Sequence, residues 1–241
     1  MIDFDVRRYK TLDSTSTFLK ALAEDGEREG VVVIADEQTA GRGRRGRSFY
    51  SPDSSGLYMS FLLRPSLPPS EALFITTATA VAVSRAIESL YDKKAEIKWV
   101  NDILIDGKKV AGILTEASFS GDSSRLDYVI VGVGVNVTTS AFPDEIKDIA
   151  ISLGEDRKEA LAGAILEEFR KIYDSFPEHT FFEEYKSRSA VIGREIEILG
   201  EERRFGRALG IDGECRLEVM LDSGEVVRLS SGEVSTRIKT M

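Results

Sequence analysis

The sequence predicts an α+β protein: a mixed or antiparallel sheet with helices on one face, followed by a small C-terminal β-barrel. Three observations predict it. Continuous apolar runs bounded by turn residues, such as Val31 to Ala35 and Leu57 to Leu63, read as buried strands. Segments with helical spacing of apolar residues separate them. From Val191 the pattern changes to short alternating strands punctuated by Gly200, Asp212-Gly213 and Asp222-Ser223-Gly224, as in small closed sheets. The 241 residues divide in expectation into units 1–189 and 190–241, and a chain of this length buries its own core without staples.

Each element has a local cause. Ser14 and Thr15 precede Phe18, Leu19, Leu22 and Ala23, an apolar face that Gly26 stops, so a helix begins near Ser14. Ordinary capping by Ser14 or Thr15 and binding of a polar ligand are both open to this turn. The strand at Val31 leads through Asp36 to Thr39 into Gly41-Arg42-Gly43-Arg44-Arg45-Gly46-Arg47. Pro65, Pro68 and Pro69 break the chain, and Ser70 is expected to cap a buried, alanine-rich helix running to about Tyr91. Its most apolar part, Ala72 to Val83, reads as too short to span a bilayer. Glu96 to Trp99 is a short strand, and Asp106-Gly107 is the pair of a tight hairpin that sets Lys109 just inside the returning strand. Val110 to Ala117 and Leu126 to Val137 continue the sheet, and the alternating Gly132 and Gly134 mark a close approach of another group. Ile146 to Leu153 fits no single period. Arg157 to Phe176 and Phe181 to Ser187 read as amphipathic helices, with Leu161, Ile165, Leu166, Phe169 and Ile172 on one face.

Charge narrows the function. A net charge of −9 would repel a polyanion, so the four arginines of Gly41 to Arg47 stand out against an acidic background. Glycine lets backbone approach a ligand closely, and arginine offers a planar fork of donors for carboxylate or phosphate. By itself the stretch fits either a loop closing over a small anion or a basic RNA-binding segment. The overall charge and the lack of aromatic residues within the stretch argue against nucleic acid. The single cysteine, Cys215, excludes an intramolecular disulfide and any multi-cysteine metal site, and reads as a small residue on a half-buried strand. With no basic, then apolar, opening in Met1 to Asp5, a cytoplasmic protein with no membrane partner is expected. The one histidine, His179, lies between expected helices and is assigned no catalytic part.

Three stretches taken together resemble the biotin protein ligases: Ser14-Thr15, the Gln38 to Arg47 loop, and Lys98-Trp99-Val100-Asn101-Asp102 followed after the hairpin by Lys109, Ala111, Gly112 and Ile113. The resemblance covers essentially the whole chain. It implies a class II synthetase-like catalytic domain with an SH3-like C-terminal barrel. It also implies a two-step reaction, in which biotin and ATP give biotinyl-5′-AMP and pyrophosphate, and a lysine of a biotin carboxyl carrier protein or domain then takes the biotinyl group. By the same resemblance Ser14, Thr15, Ser16, Gln38, Gly41, Arg42 and Gly112 belong to the biotin site. Gly43, Arg44, Arg45, Gly46, Asn101, Lys109 and Asn136 belong to the ATP or adenylate site, with Lys109, Arg44 and Asp102 as the catalytic set. Asn101 and Asp102 would lie near the phosphates, where an amide or carboxylate can orient Mg²⁺ and its waters, and Asp102 could also help deprotonate the acceptor lysine.

The sequence departs from the family pattern at Ser16, where asparagine is common, at Val100, where proline is, and at Phe49, where tryptophan is. Because the resemblance starts within the first dozen residues, the DNA-binding module of some members is not expected, nor is a repressor role. Members often dimerise, which leaves a homodimer open. A lipoate ligase-like acyltransferase is the alternative enzyme, and an RNA-binding protein the alternative of another class.

Overall fold

The computed structural model describes residues 2–199, 203–230 and 233–236. The main sheet contains β1 (Asp5–Leu12), β2 (Val31–Gln38), β3 (Gly56–Leu63), β4 (Glu96–Lys98), β5 (Asp102–Ile105), β6 (Lys108–Phe119) and β7 (Leu126–Asn136). Their order across the sheet is β1-β2-β3-β7-β6-β5-β4. β1 and β2 are parallel and the other neighbours antiparallel, so the sheet is mixed, as expected. β3 and β7 form the central ladder, from Gly56 opposite Asn136 to Leu63 opposite Val129.

Alternation along these strands sends side chains to two faces. Leu57, Met59, Phe61 and Leu63 of β3 and Val129, Val131, Val133 and Val135 of β7 join the main core with α2 (Ala72–Tyr91) and α3 (Lys158–Tyr173). Leu62 and Ile130 belong to a second cluster with Leu19 and Ala23 of α1 (Thr15–Glu24). The expectation of helices on one face thus holds for α2 and α3. α1 is the exception, because its short apolar stripe covers a separate patch made by Val31 and Val33 of β2, Leu62 of β3 and Tyr128 and Ile130 of β7.

Three local expectations are corrected. Ser70 does not cap α2: Pro69 opens a 3₁₀ turn through Glu71, whose N–H bonds the Pro68 carbonyl at 3.0 Å, and the α-helix starts only at Ala72. Proline's fixed φ and missing N–H suit that first position. Pro69–Tyr91 is long and apolar enough, by length and composition, to cross a membrane, which Ala72 to Val83 alone did not suggest, and 72% of its most apolar window is buried inside the protein. α3 ends at Tyr173 rather than near Phe176, where Pro177 disfavours a helical residue before it and a 3₁₀ turn follows. β1 has no apolar run to announce it. Its Arg7, Arg8 and Lys10 suit an edge strand, where charge blocks pairing with another chain.

After α4 (Phe182–Ser187) come β8 (Glu195–Leu199), β9 (Arg204–Ile211), β10 (Leu217–Leu221), β11 (Val226–Leu229) and β12 (Glu233–Thr236). They make an SH3-like five-stranded antiparallel sheet in the order β11-β10-β9-β8-β12. Gly200, one of the expected turn residues, lies outside the described residues. Ile196, Ala208, Leu217 and Val219 of this sheet belong to the same apolar cluster as the main core.

Candidate active site

The glycine–arginine stretch folds into a miniature hairpin. The Phe49 N–H donates to the Gly41 carbonyl at 2.9 Å and the Gly43 N–H to the Arg47 carbonyl at 2.8 Å, with Arg42 bridged to Ser48 between them. Arg44 to Gly46 form the tip, where Arg45 (φ 57°) and Gly46 (φ 76°) take the left-handed conformation that closes the turn. Two arginines tie the hairpin across to the sheet. Arg42 makes a two-point ion pair with Glu116 of β6, at 2.9 and 2.8 Å, and an Arg44 N–H donates to Asn101 Oδ1 at 3.2 Å. Gly41 is buried beneath the hairpin: a Cβ there would come within 2.5 Å of the Phe49 carbonyl oxygen and of Ser51 Oγ.

Opposite this hairpin, the Asp106-Gly107 turn returns the chain into β6, as the sequence predicts. The Lys109 ammonium lies 2.7 Å from Asp102 Oδ1. Its backbone is held on both sides, by Leu104 of β5 and by the segment 149–151: the Lys109 N–H donates to the Ile149 carbonyl at 2.7 Å and the Ile151 N–H to the Lys109 carbonyl at 2.9 Å. Ile146 to Leu153, which shows no period, is therefore a turn followed by an extended prop for this lysine. Asn101 is clamped to the same strand, since its side-chain N–H donates to the Ile113 carbonyl at 2.9 Å and its backbone carbonyl accepts from the Ile113 N–H at 3.0 Å.

Between the hairpin and the lysine lies a cleft that opens to solvent, with about 450 Å³ of empty space counting its open mouth. It brings together Ser14, Thr15, Ser16, Gln38, Arg42 and Gly43 from the first part of the chain with Asn101, Lys109 and Gly112 from β5–β6 and the residue before them, and Arg44 lines it too. Ser14 is also the N-cap of α1, accepting from the Thr17 N–H, so the ordinary capping role is present in the same residue that lines the cleft. Five expected residues do not line it. Gly41 lies below, the tip residues Arg45 and Gly46 are exposed, and Asp102 sits behind Lys109. Asn136, the last residue of β7, is 5% exposed and donates to the Ile151 carbonyl at 3.3 Å. One N–H of its side-chain amide is thus held by the prop behind Lys109.

The structure adds Ser60, which the sequence did not single out, and gives Phe49 its place. Ser60, in an otherwise apolar run of β3, hydrogen-bonds both Thr15 and Ser16. Phe49 lies against β7: a Cβ on Gly134 would come within 2.6 Å of its ring, and a Cβ on Gly132 within 2.6 Å of Ser16 Oγ. Those contacts are the close approaches that the two glycines announced. Lys109 Nζ lies 5.9 Å from the centre of the Phe49 ring, a cation–π distance.

The Trp99–Val100 segment that leads into Asn101 is anchored from two later parts of the chain. Trp99 Nε1 donates to the Cys215 carbonyl at 2.9 Å, and the hydroxyl of the buried Tyr185 donates to the Val100 carbonyl at 3.1 Å. Burial holds the Tyr185 phenol well above its ordinary range, so it stays a donor. Cys215 is not on a strand, as expected, but in the turn between β9 and β10 with φ 61°, fully buried, and burial pushes its thiol up to about 12. Such a thiol is inert. His179 serves packing, stacked on Phe74 with its Nε2 2.7 Å from Glu71.

The donor set suits anions rather than a metal. Among the described residues no group of three His, Cys, Asp or Glu side chains could hold a metal ion. Asn101 has its oxygen turned to a guanidinium and its NH₂ to a carbonyl, and the Asp102 carboxylate faces an ammonium. Asn101 and Asp102 alone thus make no cage for a metal, and a Mg²⁺ near them would take most of its ligands from water and substrate phosphates.

Comparison with known proteins agrees with this architecture. A model of the biotin/lipoate A/B protein ligase family matches residues 9–136, and a model of the biotin protein ligase C-terminal domain matches residues 191–237. The chain is similar to the bifunctional ligase/repressor BirA of Bacillus subtilis, with 38% identity over 231 residues, 91% of this chain and 70% of the relative. It is similar to the biotin–[acetyl-CoA-carboxylase] ligase of Mycobacterium tuberculosis, with 33% identity over 236 residues, 92% of this chain and 85% of the relative. Among solved structures it is similar to the biotin protein ligase from Aquifex aeolicus in complex with biotin and ATP, with a TM-score of 0.77 and 33% identity, covering 97% of this chain and 98% of that one.

Proposed function

Because the chain belongs to the biotin/lipoate A/B protein ligase family, we propose that it joins biotin to AMP and passes the biotinyl group to a lysine of a biotin carboxyl carrier protein or domain. The observation that carries this reading is the cleft itself, in which a polar floor, two arginines and a lysine from separate parts of the sequence face one another. In the first step a biotin carboxylate oxygen attacks the α-phosphorus of ATP and pyrophosphate leaves. Two anions must meet, so fixed positive charge and oriented N–H groups supply most of the rate. On this reading Lys109, held on a rigid strand, lies between carboxylate and α-phosphate, and Arg42, Arg44 and the Gly43 backbone close over the adenylate as a lid that keeps water from the mixed anhydride.

In the second step the acceptor amine attacks the acyl carbon and AMP leaves. A free lysine is neutral in only about one part in a few thousand at pH 7, so Asp102, beside Lys109, is read as the carboxylate that orients the incoming ammonium and draws off its proton. Mg²⁺ is read as arriving on the ATP phosphates, with no step assigned to it here. Residues 1–189 would carry both reactions and 190–241 would support them. Net charge −9 disfavours DNA as a partner, the use of ATP and a carrier domain suits the cytoplasm, and a homodimer would show as a doubled mass in sedimentation.

The test is incubation with ATP, Mg²⁺, a carrier domain and either biotin or lipoate, followed by intact mass. Gain of one biotinyl group is the expected result. Gain of a lipoyl group instead would move the chain to the lipoate branch of the same family, and salt-sensitive RNA binding without acyl transfer would overturn both.

A further inference from the structure

The polar floor of the cleft is a file of hydroxyls and one amide whose hydrogen-bond directions can be counted, because a hydroxyl has a single proton. The Thr15 backbone N–H donates to Gln38 Oε1 at 2.9 Å, which fixes the amide oxygen toward α1 and its NH₂ toward Ser51 Oγ, also at 2.9 Å. Ser51 then donates to the Phe49 carbonyl at 2.9 Å. On the other side, Thr15 Oγ1 donates to the same Gln38 oxygen at 3.1 Å. Its proton is spent there, so toward Ser60 Oγ, 2.8 Å away, Thr15 can only accept. Ser60 gives its own proton to Thr15 and can only accept from Ser16 Oγ at 3.0 Å. Ser16 is left with lone pairs alone to offer the cleft that it lines.

We propose that Ser60, itself 0% exposed, is a positioning residue that sets the hydrogen-bonding polarity of the pocket, making Ser16 an obligate acceptor for a ligand N–H. The inference rests on the biotin reading and deepens it. The ureido ring of biotin carries two N–H groups beside its carbonyl, whereas the dithiolane ring of lipoate carries none. An isolated serine at position 16 could turn its proton toward either kind of ligand atom. The wiring through Ser60 removes that choice, and so gives a serine the discrimination that its side chain alone lacks. Gly132 belongs to the same device, since a methyl group there would meet Ser16 Oγ at 2.6 Å and break the file.

The test is Ser60→Ala in the full chain, with equilibrium binding of biotin and of two analogues, each methylated on one ureido nitrogen, alongside the KM for ATP and a thermal melt. Biotin should bind about tenfold more weakly to the variant. The KM for ATP should stay unchanged, and the analogue lacking the N–H that faces Ser16 should bind as it does to the parent, so that the biotin-to-analogue ratio falls by the same factor. If Ser60→Ala does not fold, Thr15→Val cuts the file one link further on and should lower the same ratio. Equal weakening of biotin and both analogues, or no weakening of any, overturns the proposal while the parent still binds biotin. A parent chain that does not bind biotin overturns the underlying reading as well.

Discussion

Tyr185→Phe removes one oxygen from a ring that is 1% exposed and stacked on Phe182 with centroids 6.0 Å apart. The phenyl ring fills the same space, so packing is conserved and the Val100 carbonyl, 3.1 Å away in the parent, loses its side-chain donor. A buried acceptor left unsatisfied costs about 1 to 3 kcal/mol. For a chain of this size each kcal/mol lowers Tm by roughly 2 to 4 °C, so a fall of roughly 2 to 12 °C is expected in a thermal melt. Urea unfolding should show a lower midpoint with an unchanged slope. Val100 precedes Asn101, whose side chain receives Arg44, so the KM for ATP should rise several-fold while that for biotin holds. A Tm within 1 °C of the parent, with both KM values unchanged, would refute the argument that this hydroxyl anchors the segment.

Lys109→Ala should slow single-turnover pyrophosphate release by about 10² to 10³-fold with little loss of Tm, because its partner Asp102 is half-buried and the pair reaches solvent; near-parent adenylation would remove Lys109 from the reaction. Gly134→Ala places a methyl 2.6 Å from the Phe49 ring and should raise the KM for both substrates, and Phe49→Ala in the same chain should restore part of the loss; purely additive effects would mean that the two do not touch in solution. Stability should also fall in acid. Hydrogen bonds from Arg188 hold Glu88 below its ordinary 4.5, and at Glu184 burial pushes upward but is outweighed by Arg85 and Arg188. A carboxyl with a lowered folded-state pKa contributes fully above 4.5 and loses its contribution as pH drops further. Denaturation midpoints should therefore decline below that pH, less steeply in Glu184→Gln, and equal slopes in the two chains would contradict the assignment.

Features that announce themselves by local chemistry were legible in the sequence. Asp106-Gly107 set the hairpin and with it Lys109, the run of arginine and glycine marked the anion loop, and Gly132 with Gly134 signalled a close approach that proved to be Ser16 and Phe49. Features that depend on partners far along the chain were not legible. Ser60 is one hydroxyl in an apolar strand, and nothing local says that two residues of α1 will bond it. Glu116 looks like any strand carboxylate until Arg42 reaches it from seventy-four positions away. A strand-end asparagine such as Asn136 can serve either a ligand or a turn, and only the fold shows one N–H of its amide turned to Ile151. β1 shows no apolar run because an edge strand is protected by the charges it carries.

The order of the main sheet has a consequence for how activity is acquired. Every cleft residue that comes early in the chain, from Ser14 to Met59, precedes the end of β3, and every late one, from Asn101 to Gly134, follows Glu96. The two groups are joined along the β3–β7 ladder, between strands separated by α2, β4, β5 and β6, and across the cleft by Arg42–Glu116 and Arg44–Asn101. The cleft is thus a seam between two halves of one polypeptide. The residues that line the cleft are brought together in full only once β7 pairs with β3.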